Sequence, residues 1–338
     1  MACVVDGFVD ETAVYWYESQ ATAADGGIVA RVSKVAVGGG PTVVLFEGCF
    51  VGGGDMMVAN STTLYVDCRQ QVDTTKQIEI MQIPKDPSVA PTPFLISDTS
   101  IANCVETGQC DTANVGVADD SNVYFQILNG GGPIFKMAVG GGPLAKVTPV
   151  PGDADYGANA TDIIWNMTVI GGTLYYLAGD VPNQTRGLWS VPTSGGAPNL
   201  LGSGDPFSGQ VIGGFVQLNG YLYWRYDSGG LGSSVAKVPM TGGTPTKIGG
   251  PYSFTNSYQQ LALFGNALYF AGQFDGWLRI EALPVDQTDG GATTVVQDFP
   301  SLADYPAAGN AQLVVANKSH LFFADPGFPD GGKIYRCD

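Results

Sequence analysis

Glu18, Asp25, Asp67, Asp180, Asp227, Asp275 and Asp325 each follow a short aromatic run, and Asp73 and Asp330 lie in the same acidic stretches. Carboxylates brought to one place can hold a hard cation or a cationic ligand, and two with separated pKa values can perform acid–base chemistry. The plainer reading, and the preferred one, is that acidic loop residues keep a protein with few charges soluble. A second constellation is Asp153-Ala154-Asp155-Tyr156-Gly157-Ala158-Asn159, with Asp162 beyond it. Oxygen ligands two residues apart around a turn-forming Gly suit calcium, which takes six to eight oxygens at flexible distances. The twelfth position is Ile164 rather than a bidentate Glu, so this is no EF-hand, and ordinary Asx-type turns explain the spacing more simply. Calcium is still the one cofactor the sequence proposes.

Other chemistry is sparse. The chain has 1 His, His320, so a His-rich metal centre is excluded and any Ser-His-Asp relay would have to use that residue. His320 lies in the turn Asn317-Lys318-Ser319-His320, where a solvated loop position is expected. No Gly cluster leads from a strand into a helix, which excludes a phosphate-binding loop. Asn60, Asn159, Asn166, Asn183 and Asn317 begin glycosylation sequons, to which no function is assigned. With 31 acidic against 15 basic residues the net charge is −16, which opposes binding to nucleic acid and to anionic membranes.

The 6 Cys match no zinc ligand spacing and point to disulfides in an oxidising compartment. Cys104 and Cys110 share one polar loop and pair most simply with each other. Cys49 precedes the first strand of the second unit and Cys68 ends its second strand, so antiparallel geometry puts both on one side. Cys3 with Cys337 follows by exclusion, among fifteen connectivities that six cysteines allow. The alternative for Cys3 is lipidation, because Ala2-Cys3 resembles the end of a bacterial lipobox. No apolar run approaches the ~20 residues of a membrane span. Met1-Ala2 directly before folded-looking sequence suggests that a secretion signal was removed and an initiator Met added, so the lack of a signal does not argue for the cytoplasm, and the cysteines lead to the expectation of an extracellular or periplasmic location.

These residues must be positioned by a repeat. Val14-Tyr15-Trp16, Leu64-Tyr65-Val66, Val123-Tyr124-Phe125, Leu174-Tyr175-Tyr176, Leu222-Tyr223-Trp224, Leu268-Tyr269-Phe270 and Leu321-Phe322-Phe323 recur 46 to 59 residues apart. Four short strands a, b, c and d fit each interval, joined by Gly-rich hairpin turns, with the aromatic run on strand b. The 48 Gly and 21 Pro leave no sustained helical period, so the fold is all-β. The punctuation Gly39-Gly40-Pro41, Gly141-Gly142-Pro143, Gly195-Gly196-Ala197-Pro198 and Gly242-Gly243-Thr244-Pro245 marks strand d as an outer edge, because Pro cannot donate a ladder bond. Seven such sheets around a channel make a seven-bladed β-propeller, with six or eight blades as alternatives. One domain over 1–338 is expected, with blades near 4–48, 55–98, 113–149, 165–203, 212–249, 258–298 and 311–338. The last unit ends after strand c. Residues 2–5 could complete it, but Val4 to Val9 also read as the first strand of blade one, and one segment can hardly serve fully as both, so a three-stranded last blade is the other outcome left open.

Leu222-Tyr223-Trp224-Arg225-Tyr226-Asp227, followed by Val235 to Pro239 and Gly242-Gly243, resembles the secreted propeller repeats of the YWTD and TolB-like kind. That resemblance implies a rigid extracellular or periplasmic platform that binds a protein, glycan or small molecule. The reading preferred from sequence is therefore a monomeric, non-catalytic binding or scaffold propeller that uses the loops after strand b. The alternative is a calcium-dependent hydrolase or lactonase that uses carboxylates at the central channel.

Overall fold

The computed structural model describes residues 2–21, 28–50, 57–72, 76–98, 112–128, 134–148, 165–180, 185–203, 211–227, 233–252, 261–274, 277–286, 292–299, 314–324 and 333–337. They form a seven-bladed β-propeller of antiparallel sheets. Blade one holds β1 (Ala2–Val9), β2 (Ala13–Ala21), β3 (Ile28–Ala36) and β4 (Val43–Phe50); blade two holds β5 (Met57–Ala59), β6 (Thr63–Gln71), β7 (Lys76–Pro84) and β8 (Thr92–Asp98). Blade three is β9 (Thr112–Ala118), β10 (Asn122–Leu128), β11 (Ile134–Ala138) and β12 (Ala145–Thr148). Blade four is β13 (Trp165–Ile170), β14 (Thr173–Asp180), β15 (Thr185–Pro192) and β16 (Asn199–Ser203). Blade five is β17 (Val211–Leu218), β18 (Tyr221–Asp227), β19 (Ser233–Pro239) and β20 (Thr246–Tyr252). Blade six is β21 (Ala262–Phe264), β22 (Ala267–Phe274), β23 (Trp277–Pro284) and β24 (Thr294–Phe299); blade seven is β25 (Val314–Ala316), β26 (Leu321–Ala324) and β27 (Ile334–Cys337).

Strand b shows why the aromatic run recurs. Side chains alternate across a strand, so the central aromatic and the residue two beyond it face the following blade, while their neighbours face the preceding one. Tyr15 and Tyr17 pack with Leu64, Val66 and Cys68 of blade two, whereas Val14 and Trp16 pack with Val315 and Phe322 of blade seven. Of the seven central aromatics all but Tyr269 are buried, and each contributes on the order of 3 kcal/mol by leaving water. Burial also pushes the hydroxyls of Tyr15 and Tyr124 up to about 12.

The turns between strands a and b come in two chemical forms. In blades one, two, three and seven, Asp10, Asn60, Asp119 and Asn317 accept the backbone N–H groups of the residues two and three further on. Such Asx caps spare the chain a positive φ. Blades four and five use Gly171-Gly172 and Asn219-Gly220 instead, both residues of each pair having positive φ. Asn317 donates its amide to the Asp10 carbonyl at 2.9 Å, so this sequon residue ties blade seven to blade one.

A second device runs around the ring. Lys34, Lys136 and Lys237 sit on strand c opposite the central aromatic of their own blade. Each donates its ammonium to the carbonyl just after strand c of the next blade: Lys85, Thr193 and Val285. Arg336 occupies the same position in blade seven, opposite Phe322, and reaches the Val37 carbonyl of blade one at 3.4 Å.

The use of the N-terminal segment is decided, and one expectation about closure is corrected. β1 pairs with β2 along its length, so the N-terminal segment is the first strand of blade one and does not complete blade seven. Cys3 lies opposite Ser19, near the end of strand b where the b–c connections leave. Cys337 lies opposite Leu321, at the start of strand b on the other side of the disc. A strand's length separates the two, far beyond the ~7 Å a disulfide tolerates, and Cys337 is a free thiol. Pro41, Pro143 and Pro245 precede their d strands rather than lying on them.

Candidate functional site

The ends of the b strands and the starts of the a strands lie on one side of the disc, because the strands alternate in direction. Glu18 lies within β2, 2% exposed, and not on a loop. It faces Arg31 on β3, which in turn faces Glu47 on β4, forming a row across three adjacent strands. The Arg31 guanidinium stands 3.4 Å from Glu18 and 3.1 Å from Glu47. A buried carboxylate held this way is committed to structure, since removing the cation would leave a desolvated charge. Asp67 is likewise buried inside β6. Asp180 and Asp227 close β14 and β18, opposite Thr185 and Ser233. Asp25, Asp275 and Asp325 lie outside the described residues, as do Asp153, Asp155, Asn159, Asp162, Cys104 and Cys110. Among the described residues no group of three His, Cys, Asp or Glu is arranged to hold a metal.

His320 is on the opposite side of the disc, in the a–b turn of blade seven, where its backbone N–H donates to Asn317 at 2.8 Å. Its ring packs 5.9 Å from that of Phe322. A relay that joined it to the b–c carboxylates would have to cross the disc. Cys68 is buried and disulfide-bonded. Cys49 lies on β4, the last strand of blade one, rather than just before blade two, and the pair Phe50↔Arg69 joins β4 to β6 beside both cysteines.

A carboxyl of strongly altered acidity that the sequence reading passed over is Asp6. It stands alone in the apolar run Ala2–Val9, next to a bulge between Val4 and Asp6 in the innermost strand of blade one. An isolated acid in an otherwise apolar strand is the signal that could have found it. Oδ1 accepts the Gly7 N–H at 2.7 Å, and Oδ2 accepts the Met57 N–H of blade two at 2.8 Å. Burial pushes the carboxyl up to about 7, against the two backbone donors, which pull it down. Asp10, four residues on, moves the other way. Desolvation raises it, but hydrogen bonds from Thr12, Lys85 and Ala13 outweigh that and hold it at about 2. Lys85 approaches Asp10 to 2.9 Å while lying over the rings of Phe8 and Tyr15. The two sides of blade one thus carry carboxyls of widely separated acidity, and only Asp6 is poised to exchange protons near neutrality.

No protein-family model and no curated protein matches this chain. Solved structures do. The propeller domain of the Trilobed protease from Pyrococcus furiosus, described as having an open velcro topology, aligns with a TM-score of 0.62 at 6% identity, over 100% of this chain and 93% of that one. An acylaminoacyl peptidase of Pyrococcus horikoshii gives 0.59 at 8% identity, over 100% and 51%. One of two prolyl endopeptidases studied for inter-domain dynamics gives 0.57 at 13% identity, over 100% of this chain and 47% of its own. This chain therefore spans about half the length of the two peptidases. These likenesses establish the propeller fold. The expectation of a non-catalytic scaffold is corrected: the three structures reported above, each aligned over 100% of this chain, belong to a protease, an acylaminoacyl peptidase and a prolyl endopeptidase.

Proposed function

We propose that this chain is the propeller of a hydrolase acting on peptides, with Asp6 as the acid–base group on its b–c side. The observation that carries this reading is the Asp6 carboxyl, raised to about 7 by burial against the pull of its two backbone donors. Ionised, it can take a proton from a water attacking the scissile carbonyl; protonated, it can return that proton to the departing amine. The likeness to peptidase propellers supports peptides as the substrate class. With fluorogenic peptide libraries, the 338-residue chain is expected to show turnover whose pH profile bends near 7. Asp6→Asn should abolish it while the chain stays folded at pH 8. Absence of cleavage across the libraries, or full activity in Asp6→Asn, would overturn the proposal.

Calcium belongs to the same reading, held by Asp153, Asp155, Asn159 and Asp162. A site occupied only in the native state must raise stability, so millimolar calcium is expected to raise the melting temperature, and Asp153→Asn with Asp155→Asn to remove the rise. An unchanged melting temperature in the parent chain would end the calcium proposal.

An oxidising compartment, with secretion of the YWTD and TolB-like kind, is proposed on the bonded state of Cys68. Its proposed partner is Cys49. Unreduced proteolytic mapping should recover one fragment that joins the peptides bearing Cys49 and Cys68, with Cys337 alkylated; a fragment joining Cys68 to any other cysteine would refute the pairing.

A further inference from the structure

Asp6, Phe8 and Asp10 alternate along one extended segment and so share a face, and that face meets blade two. Asp6 accepts the Met57 N–H, Phe8 packs on the cluster that holds Met57, Leu64 and Ile83, and Asp10 accepts the Lys85 ammonium at 2.9 Å. The Asp10 end is the fixed one. Asn317 of blade seven donates to the Asp10 carbonyl at 2.9 Å. Lys85 in turn is held through its backbone: its N–H donates to the Thr62 carbonyl at 2.9 Å, and its carbonyl accepts the Lys34 ammonium at 2.6 Å. The Asp6 end is less constrained by its own sheet, since the bulge between Val4 and Asp6 interrupts the ladder to β2 and Gly7 has no side chain to lodge between the blades. Between the two ends stands Phe8, whose ring centroid lies 4.7 Å from the Lys85 ammonium.

We infer that Lys85 is a positioning residue for Asp6: by gripping Asp10 and the Phe8 ring it draws β1 against blade two and sets how deep the Asp6 carboxyl sits beside Met57. This role rests on the reading of Asp6 as the acid–base group and adds what fixes its depth. Phe8 is two residues from either acid, so a shift of its ring reaches Asp6 through ~7 Å of extended backbone. Depth matters because burial is what raises the Asp6 carboxyl, against both of its backbone donors, and a carboxyl that moves towards water loses that rise. The cluster this face meets holds Tyr17 from β2, Met57 from β5, Val66 and Cys68 from β6 and Met81 from β7, while β25 beside β1 runs Val314-Val315-Ala316. Tyr17, which pairs with Asp6 across the ladder, is the titratable group among them, since Cys68 is disulfide-bonded.

The sign of one change separates position from charge. Lys85→Met keeps the apolar stem and removes the ammonium. If Lys85 acted on Asp6 only as a charge, losing a cation would raise the Asp6 midpoint. If it positions Asp6, the loosened strand admits water and the midpoint falls by about one unit from about 7. Carboxyl carbon chemical shifts of Asp6, followed by NMR in the 338-residue chain, read that midpoint without a substrate, so the result stands whether or not peptides are cleaved. Where they are cleaved, the bend in the pH profile should move with it. Phe8→Leu changes no charge and should lower the midpoint as Lys85→Met does; should Lys85→Met fail to fold, Phe8→Leu decides alone. Lys136→Met removes the like link between blades three and four and should leave the Asp6 midpoint in place. An unchanged or raised midpoint in Lys85→Met, an unchanged one in Phe8→Leu, or an equal fall in Lys136→Met would overturn the inference.

Discussion

Lowering the pH from 8 to 4 is expected to stabilise this protein. The group responsible is Asp6, whose folded carboxyl titrates at about 7 against an unfolded value near 3.8. A carboxyl raised in the folded state binds its proton more tightly there, so its stabilising contribution is fully present below about pH 4 and is lost as pH rises through 7. The gap of about three units sets a ceiling of about 4 kcal/mol on the swing. Asp10 acts in another window. Held at about 2, it contributes stability above its unfolded value that disappears only as pH falls from about 4 towards 2. Denaturant midpoints measured from pH 4 to 8 should therefore fall as pH rises in the parent chain. In Asp6→Asn they should be nearly flat, since the amide carries no titrating proton. Parallel slopes for the two proteins would show that Asp6 is not desolvated as described.

Gly116→Ala is expected to destabilise the fold by about 1–3 kcal/mol, the usual cost of overpacking. Gly116 is the unpaired residue of the β9 bulge, between Val115 opposite Phe125 and Val117 opposite Tyr124. A Cβ there would meet the Met167 side chain of blade four, at 2.3 Å from Sδ and 2.4 Å from Cγ and Cε. The end of a methionine can swing aside, but Cγ cannot without drawing the residue out of its cluster with Tyr124, Tyr176 and Leu174. Elsewhere in a loop such a replacement would gain a few tenths of a kcal/mol through the unfolded chain; here contact reverses the sign. Met167→Ala alone should cost about 2–5 kcal/mol by leaving a cavity. Together the two should cost less than their sum, because the new methyl enters space the methionine has left. Strict additivity would mean that the two residues do not touch.

The aromatic repeat made strand b legible in every blade, because residues that face two neighbouring sheets at once must be apolar at successive positions. The Gly-Gly turns were legible for the same local reason, positive φ being a property of the residue itself. What the repeat concealed was variation between blades. Asp10, Asn60, Asp119 and Asn317 form a–b turns by side-chain acceptance, while Gly171-Gly172 does so by backbone freedom, and these turns look alike only once folded. Lys34, Lys136, Lys237 and Arg336 share no local motif, yet they occupy one position in alternate blades and reach one position in the next. The acids that drew attention were those on loops. Glu18 proved to be fastened to Arg31, and Asp6, hidden in an apolar strand, carries the altered acidity.

The sequence by itself determined the all-β class, the number of blades and the strand that carries each aromatic run. All of these follow from local pattern and spacing. Only the tertiary structure decided which blade the N-terminal segment joins and which acids are desolvated. Each of those depends on which distant segments lie side by side. β1 joins blade one because its partner β2 follows it directly, and that choice puts Cys3 and Cys337 on opposite sides of the disc. It also places Asp6 against the backbone of Met57.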